Sequence, residues 1–287
     1  MGDAFIGCHF RFTKEEGTVK AYSVRGGFME MIRQRQLLKN LVTREIQSRY
    51  RGTVLGFAWL IVYPVLMMGV YSFVFGGVFK SRWMNQGSMG EFVIMLFCGL
   101  IVFTIFSEVA NRAPSMIIGN PNYVKKVVFP LELLPLVSLG AAVFNALISF
   151  AILCLLILIV NFDIPGTAAI APLILLPLLL MTAGVSWGLA ALGVFFRDLS
   201  QMVGIVTSMM LFLSPVFFAV SSAPEAAQWL LNFNPLTYPI EEMRHVLIMG
   251  QYPNWGHLGM YLVSAMAVAW AGLWVFQRSR PAFADVL

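Results

Sequence analysis

The sequence predicts an all-α integral membrane protein: six transmembrane helices preceded by an amphipathic interfacial helix, with two short re-entrant helices before the last span. Three observations carry this prediction. Hydrophobic residues make up 59% of the 287 residues and charged residues only 11%, whereas water-soluble domains are about one quarter charged. Six stretches free of Asp, Glu, Lys and Arg stand out, at 53–79, 92–107, 133–162, 164–196, 199–224 and 245–277, the second extending past Glu108 to about residue 111. Lys and Arg are unevenly shared: sixteen of the nineteen fall in loops on one side of these stretches, and only Lys80, Arg82 and Arg244 on the other.

A span needs about 20 mainly apolar residues to cross roughly 30 Å of hydrocarbon. Backbone N–H groups in lipid must bond within their own segment, so long unbroken stretches become helices; an outer-membrane barrel would show alternating strands of about ten residues. Loops rich in Lys and Arg stay in the cytoplasm, which places both termini there. The net charge of +5 is thereby a topology and membrane-surface signal, with no need of nucleic acid.

Residues 1–27 are polar, contain glycine and have no period, as in a loosely ordered cytoplasmic arm. They lack the order of a cleaved signal peptide, so the first span is expected to direct insertion. In 28–52, Met31, Leu37, Leu38, Leu41, Val42 and Ile46 recur at helical spacing among Arg33, Arg35, Lys39, Arg44 and Arg49. That pattern describes a helix lying in the cytoplasmic interface. The six-span domain covers 53–277, its first two spans joined by the short outer loop 80–91. The cytoplasmic segment 112–132 is punctuated by Pro114, Pro121 and Pro130, which bracket short helical pieces. Tight turns at 161–166 and at Arg197-Asp198 make neighbouring spans antiparallel. Region 221–256 is too long for a turn and too apolar for an open loop. Its apolar pieces Trp229-Leu230-Leu231 and 240–249, broken by Pro235 and Pro239, fit two segments dipping into the membrane from outside. Residues 278–287 form a cytoplasmic tail.

The chain carries no Gly-rich phosphate loop, no HExxH and no CxxC, so ATP hydrolysis is not expected of it. His9, His245 and His257 are scattered, and Cys8, Cys98 and Cys154 lie in the arm and inside two spans, which speaks against a metal centre and against disulfides. Glu241 is expected to make local salt bridges with Arg244 and His245. Glu108 is the acid inside a predicted span. A proton site is one reading of it, and an ion pair with Arg112, four residues on, is the other. Trp59, Tyr63, Met67 and Tyr71 recur at steps of four on the first span, with Phe103 and Phe106 on the second. Aromatic faces bind sugars, and they also pack helices and anchor them at interfaces.

At Arg49-Tyr50-Arg51-Gly52-Thr53-Val54-Leu55-Gly56-Phe57-Ala58-Trp59, followed by Tyr63-Pro64, the chain resembles the ABC-2 type permeases that export bacterial polysaccharides. Three further stretches look like that family's in the same order: Asn120-Pro121-Asn122-Tyr123-Val124-Lys125-Lys126-Val127-Val128-Phe129-Pro130-Leu131-Glu132, Phe196-Arg197-Asp198-Leu199 and Asn234-Pro235-Leu236-Thr237-Tyr238. The resemblance implies a homodimer in the bacterial inner membrane, paired with two copies of a separate ABC ATP-binding subunit. That subunit would bind ATP and Mg, and this chain no cofactor. The substrate would be a lipid-linked polysaccharide: O-antigen, capsule or teichoic acid. Ile117, Asn120, Pro121, Tyr123, Lys125 and Lys126 would form the element that couples to the ATPase. Trp59, Tyr63, Tyr71, Phe103 and Phe106 would line a sugar channel. Lys39, Arg44, Arg49 and Arg51 would attract the lipid phosphate, since a guanidinium grips phosphate oxygens in pairs; positive-inside anchoring accounts for the same residues. A drug or small-lipid exporter of the same family is the alternative. A membrane-embedded glycan transferase would need clustered acids or histidines, which are sparse here.

Overall fold

A computed structural model of the chain describes residues 34–78, 89–125 and 129–286, and every regular element among them is helical. The arm 1–27, residues 28–33, Lys80, Arg82 and Lys126 lie outside the described residues. The interfacial helix is α1 (Arg35–Tyr50). It is followed by α2 (Trp59–Tyr71), which runs on through a π-helical stretch Ser72–Val78, and then by α3 (Met89–Arg112). A short α4 (Pro121–Lys125) leads to α5 (Leu133–Asn161), α6 (Ala171–Phe195) and α7 (Leu199–Leu213). Two short helices, α8 (Glu225–Phe233) and α9 (Thr237–Leu247), precede α10 (Trp255–Ser279) and the terminal α11 (Phe283–Val286).

Five described stretches are long and apolar enough to cross a membrane: Gly56–Gly77, Met89–Ser115, Leu133–Asn161, Gly166–Phe195 and Trp255–Ala282. The remaining apolar window, 199–224, yields a helix of only 15 residues. Its end has a clear cause. Pro215 disfavours helical backbone in the residue before it and its ring would strike the Leu211 carbonyl, and Ser214 is accordingly extended at φ −103°, ψ 150°. Asn234 then seals the break, donating from Nδ2 to the Leu213 carbonyl at 3.1 Å and to Ser214 Oγ at 2.8 Å. The last span also begins at Trp255, not at residue 245. Gly250, at φ +66°, turns the chain after α9, and Asn254 caps α10 by accepting from the Gly256 and His257 N–H groups at 3.1 and 3.2 Å. A charge-free window registers neither event, because both depend on backbone geometry and not on hydropathy.

The bundle is organised around α3, whose membrane window is 72% buried, against 6% for the first span and 17% for α5. Its side chains Ile94, Leu96, Ile101 and Ile105 share one core with Leu153 and Ile157 of α5, Ile174 and Leu178 of α6, and Ile240 and Met243 of α9. Arg244, expected as an outer-loop charge, is instead 2% exposed inside this assembly. Its guanidinium donates to the Met95 carbonyl at 3.1 Å, the Val216 carbonyl at 2.9 Å and Glu241 Oε1 at 3.3 Å. It thereby ties α9 to α3 and to the break after α7. Glu242, not Glu241, reaches His245, at 3.8 Å.

α6 and α10 make the most extensive helix pair, and two glycines set their approach. A Cβ on Gly272 would fall 1.9 Å from the Gly184 carbonyl oxygen, and one on Gly184 would fall 2.5 Å from the Val268 carbonyl oxygen. Small residues at such crossings let spans pack backbone to backbone. Gly272→Leu is therefore expected to lower stability by roughly 1–3 kcal/mol. Gly259→Ala, on the same helix with open space at its Cβ, should be neutral or stabilise by up to about 1 kcal/mol. Thermal unfolding of both variants in lipid nanodiscs reads the difference.

Candidate functional site

Residues four apart share a helix face, and Trp59, Tyr63, Met67 and Tyr71 use theirs to form one wall of a cleft of about 470 Å³. The opposite wall comes from Phe103, Thr104, Ser107 and Glu108 of α3 and Asn145 and Ser149 of α5, with Tyr50 of α1 joining them. Four of the five expected channel aromatics thus meet in one place. Phe106 does not: two residues along the helix from Thr104 it points to the other side of α3, and it lies 6% exposed in the main core. Tyr71 continues inward onto Phe217 at a ring distance of 5.3 Å, and Phe217 stacks on Phe75 at 4.2 Å.

One edge of the cleft is an ionic cluster, and it corrects the expected Glu108–Arg112 pair. Arg49 of α1 bridges Glu108 and Glu45, the latter at 3.1 Å, while Arg112 pairs with Glu45. The second Glu108 oxygen accepts from Asn145 Nδ2 at 3.3 Å, and Asn145 Oδ1 accepts from the Tyr50 hydroxyl at 3.3 Å. Helical spacing alone sees partners on one helix, whereas α1 lies against α5 closely enough that a Cβ at Gly140 would come 2.7 Å from Val42. Burial opposes the charge on Glu45, but Arg112 and Arg49 beside it prevail and hold its carboxyl below the usual 4.5. Burial likewise opposes the charge on Arg49, and Glu108 and Glu45 outweigh it, raising the already high basicity of the guanidinium.

Of the four cations expected to meet a lipid phosphate, Arg49 is therefore committed to two carboxylates, while Lys39, Arg44 and Arg51 are exposed. Arg44 borders a second, polar cleft of about 470 Å³ between α1 and the 112–125 segment, together with Ser48, Arg112, Ser115, Asn120 and Tyr123. In that segment Ile117 is fully buried and acts as an anchor. Asn120 donates to the Met116 carbonyl at 2.9 Å, Pro121 opens α4, which ends at Lys125, and Tyr123 stacks on Phe129 at 4.5 Å. Beyond α4, Trp187 Nε1 donates to the Glu132 carbonyl at 3.0 Å. Arg280 donates to Glu132 Oε1 at 2.8 Å and to the Phe129 carbonyl at 3.3 Å. Phe283, fully buried, packs on Phe195 and Phe276. Sequence reasoning missed this clamp; its visible trace was a lone Phe after Pro281 in a polar tail.

Gly184-Val185-Ser186-Trp187-Gly188 has the spacing of a hydrolase nucleophile elbow, which requires a strand-to-helix turn. Here it lies within α6, with Ser186 buried and donating to the Ala183 carbonyl at 2.8 Å. Among the described residues no group of three or more His, Cys, Asp or Glu could hold a metal ion.

Long apolar helices packed around one largely buried helix, with a side cleft lined by aromatic and polar residues, are the architecture of a multi-pass membrane protein. The chain belongs to the ABC-2 type transporter family, which matches residues 36–248. It is 25% identical over 253 residues to the O-antigen export system permease protein RfbA of Klebsiella pneumoniae, covering 88% of this chain and 95% of that one. The protein of that name from Myxococcus xanthus is 27% identical over 258 residues, covering 89% and 97% of the two chains. The polysialic acid transport protein KpsM of Escherichia coli is 25% identical over 261 residues, covering 87% and 95%.

Arg49→Gln is expected to destabilise the fold by roughly 1–3 kcal/mol by stranding partly buried Glu108, and the exchange Arg49→Glu with Glu108→Arg to recover part of that loss in a double-mutant cycle. The lowered Glu45 carboxyl makes a second prediction. Its contribution to stability is fully present above its usual 4.5 and disappears as pH falls through the lowered folded value. Unfolding measured from neutral pH downwards should lose that increment in the wild type and not in Glu45→Gln.

Proposed function

We propose that this chain is the membrane-spanning subunit of an ATP-driven exporter of lipid-linked polysaccharide, O-antigen first and capsule or teichoic acid as related polymers. The observation that carries the reading is the aromatic wall of Trp59, Tyr63 and Tyr71 on a cleft of about 470 Å³. It occurs in a chain similar over nearly its whole length to proteins named for O-antigen export and polysialic acid transport. Aromatic faces stack on the C–H faces of successive sugars without fixing one hydroxyl pattern, so a chain can slide along them.

In this reading the functional unit is a homodimer. Exposed Ile61, Val65, Leu66 and Val70 on α2 and Met202, Ile205, Val206 and Met209 on α7 supply the apolar surface that a second copy and the bilayer would cover. α7 with the chain up to residue 224 completes a sixth crossing, and α8 and α9 are the re-entrant pair on the outer side. The six-span domain is 53–277, and both termini face the cytoplasm of the inner membrane. Asn120, Pro121, Tyr123, Lys125 and Lys126 seat in each of two ATP-binding subunits, which bind ATP and Mg, with Ile117 holding the segment in place. Lys39, Arg44 and Arg51 draw in the lipid phosphate, and Arg49 positions α1 beside the cleft.

Deleting the gene in its host with the ATP-binding subunit intact should leave lipid-linked polysaccharide on the cytoplasmic side and remove it from the surface. Tyr63→Ala combined with Tyr71→Ala should slow export roughly tenfold, from two aromatic contacts of about 0.5–1.5 kcal/mol each. Normal surface polymer in the deletion strain would instead point to a drug or small-lipid exporter.

A further inference from the structure

Facing the aromatic residues of α2, the cleft has a mixed surface. Thr104, Ser107 and Glu108 of α3 at helical spacing and Asn145 and Ser149 of α5, four apart on one face, form a polar patch among apolar residues such as Leu100, Ile101, Ala142 and Ala146. We propose that this polar patch is a hydrogen-bonding subsite for an uncharged glycan, with Asn145 binding sugar hydroxyls and Glu108 turning polyanionic polymers away. The proposal rests on the polysaccharide-export reading and narrows it to one class of polymer.

The hydrogen-bond inventory supports the first half. A primary amide offers two N–H donors and two acceptor lone pairs. Asn145 uses one donor on Glu108 Oε2 and one acceptor site for the Tyr50 hydroxyl, which leaves one of each for a ligand. These two bonds also fix the amide in the orientation in which it borders the cleft. The hydroxyls beside it spend their protons on their own helices, Thr104 on the Ile101 carbonyl, Ser107 on the Thr104 carbonyl and Ser149 on the Asn145 carbonyl. Their oxygens therefore remain acceptors. A patch of acceptors with one amide donor matches sugar hydroxyls, each of which can donate and accept. A pyranose held there would turn its C–H face to Tyr63 and Trp59 across the cleft, where the electron-rich ring faces receive it.

Charge supports the second half. Among the described residues lining the cleft Glu108 is the charged one, and no Lys or Arg is among them. Arg49, which balances Glu108, is not among the lining residues and is held by two carboxylates. A sugar acid entering the cleft would bring its carboxylate towards Glu108, and Arg49, the cation in contact with Glu108, is already paired to it and to Glu45 and does not line the cleft. Uncharged sugars meet no such opposition, so the wall discriminates by repelling one class as well as by binding the other.

The test is equilibrium binding to the full chain in nanodiscs, using a neutral mannose oligosaccharide and a sialic acid oligomer of equal length. The neutral oligomer should bind at least about tenfold more tightly, the scale of one unfavourable charge contact. Asn145→Leu, which leaves the Arg49–Glu108 pair in place, should weaken neutral binding about fivefold, the usual worth of a neutral hydrogen bond, and Asn145→Ser should recover part of it. Glu108→Gln should raise affinity for the sialic acid oligomer. Equal or tighter binding of the sialic acid oligomer overturns the proposal. So does an Asn145→Leu variant that binds the neutral oligomer normally while Tyr63→Ala does not; either result leaves the export reading standing. Failure of both oligomers to bind correctly folded protein would overturn the subsite and the glycan path together.

Discussion

α3 is the most buried of the described spans, 72% of its membrane window lying inside the protein, and the rest of the structure follows from that constraint. A helix so largely enclosed by a bundle must offer each neighbour a complementary face and leave no polar group unmet. Large aliphatic side chains serve α5, α6 and α9. At Gly99 the helix thins, and the space is taken by the Arg244 guanidinium, whose Nη2 would lie 2.9 Å from an added Cβ. At its other end α3 turns polar, and Glu108 and Arg112 are met by α1 instead of by each other. The hydrophobic middle and the ionic end thus fix where the outer short helices, the interfacial helix and the cleft can stand.

The ionic end gives the cleft a mechanical connection. Arg112 begins the segment that the export reading assigns to the ATP-binding subunit, and from it the contacts run through Glu45, Arg49 and Glu108 to Asn145 in the cleft wall. The far end of the same segment is held separately, by Trp187 and Arg280 on Glu132. The segment is thus fastened at two places, to the cleft through charged side chains and to α6 and α10 through the clamped tail. Charged contacts between partly buried groups can be re-paired at modest cost, whereas the glycine crossing of α6 and α10 cannot deform without backbone clash.

The sequence motifs turn out to be joints. Arg49-Tyr50 fastens α1 to α3 and α5, and Asn234 with Thr237 closes the end of α7 and of α8. Their short-range signal was visible as motifs, yet their partners lie 95, 21 and 6 residues away, which local spacing cannot supply. The cleft was half legible for the same reason. Trp59, Tyr63 and Tyr71 share a face by helical period alone, but the wall they confront depends on how α3 and α5 are rotated. That rotation put Phe106 into the core and brought Asn145, which no pattern singled out, to the site.

The sequence by itself determined that this chain lives in a membrane, that it is helical, and that its positive charge gathers in particular loops. Those properties are sums over residues: transfer of apolar side chains into hydrocarbon and bonding of each backbone group within its own segment depend on composition and order along the chain. Tertiary structure alone decided which charges are buried and which side chains share the cleft. Arg244 illustrates the division. As a residue type it reads as a loop cation, and its burial is supported by acceptors from distant segments, the carbonyls of Met95 and Val216, together with Glu241 beside it. Pairing energies belong to geometry between distant segments, so they cannot be read from either segment on its own.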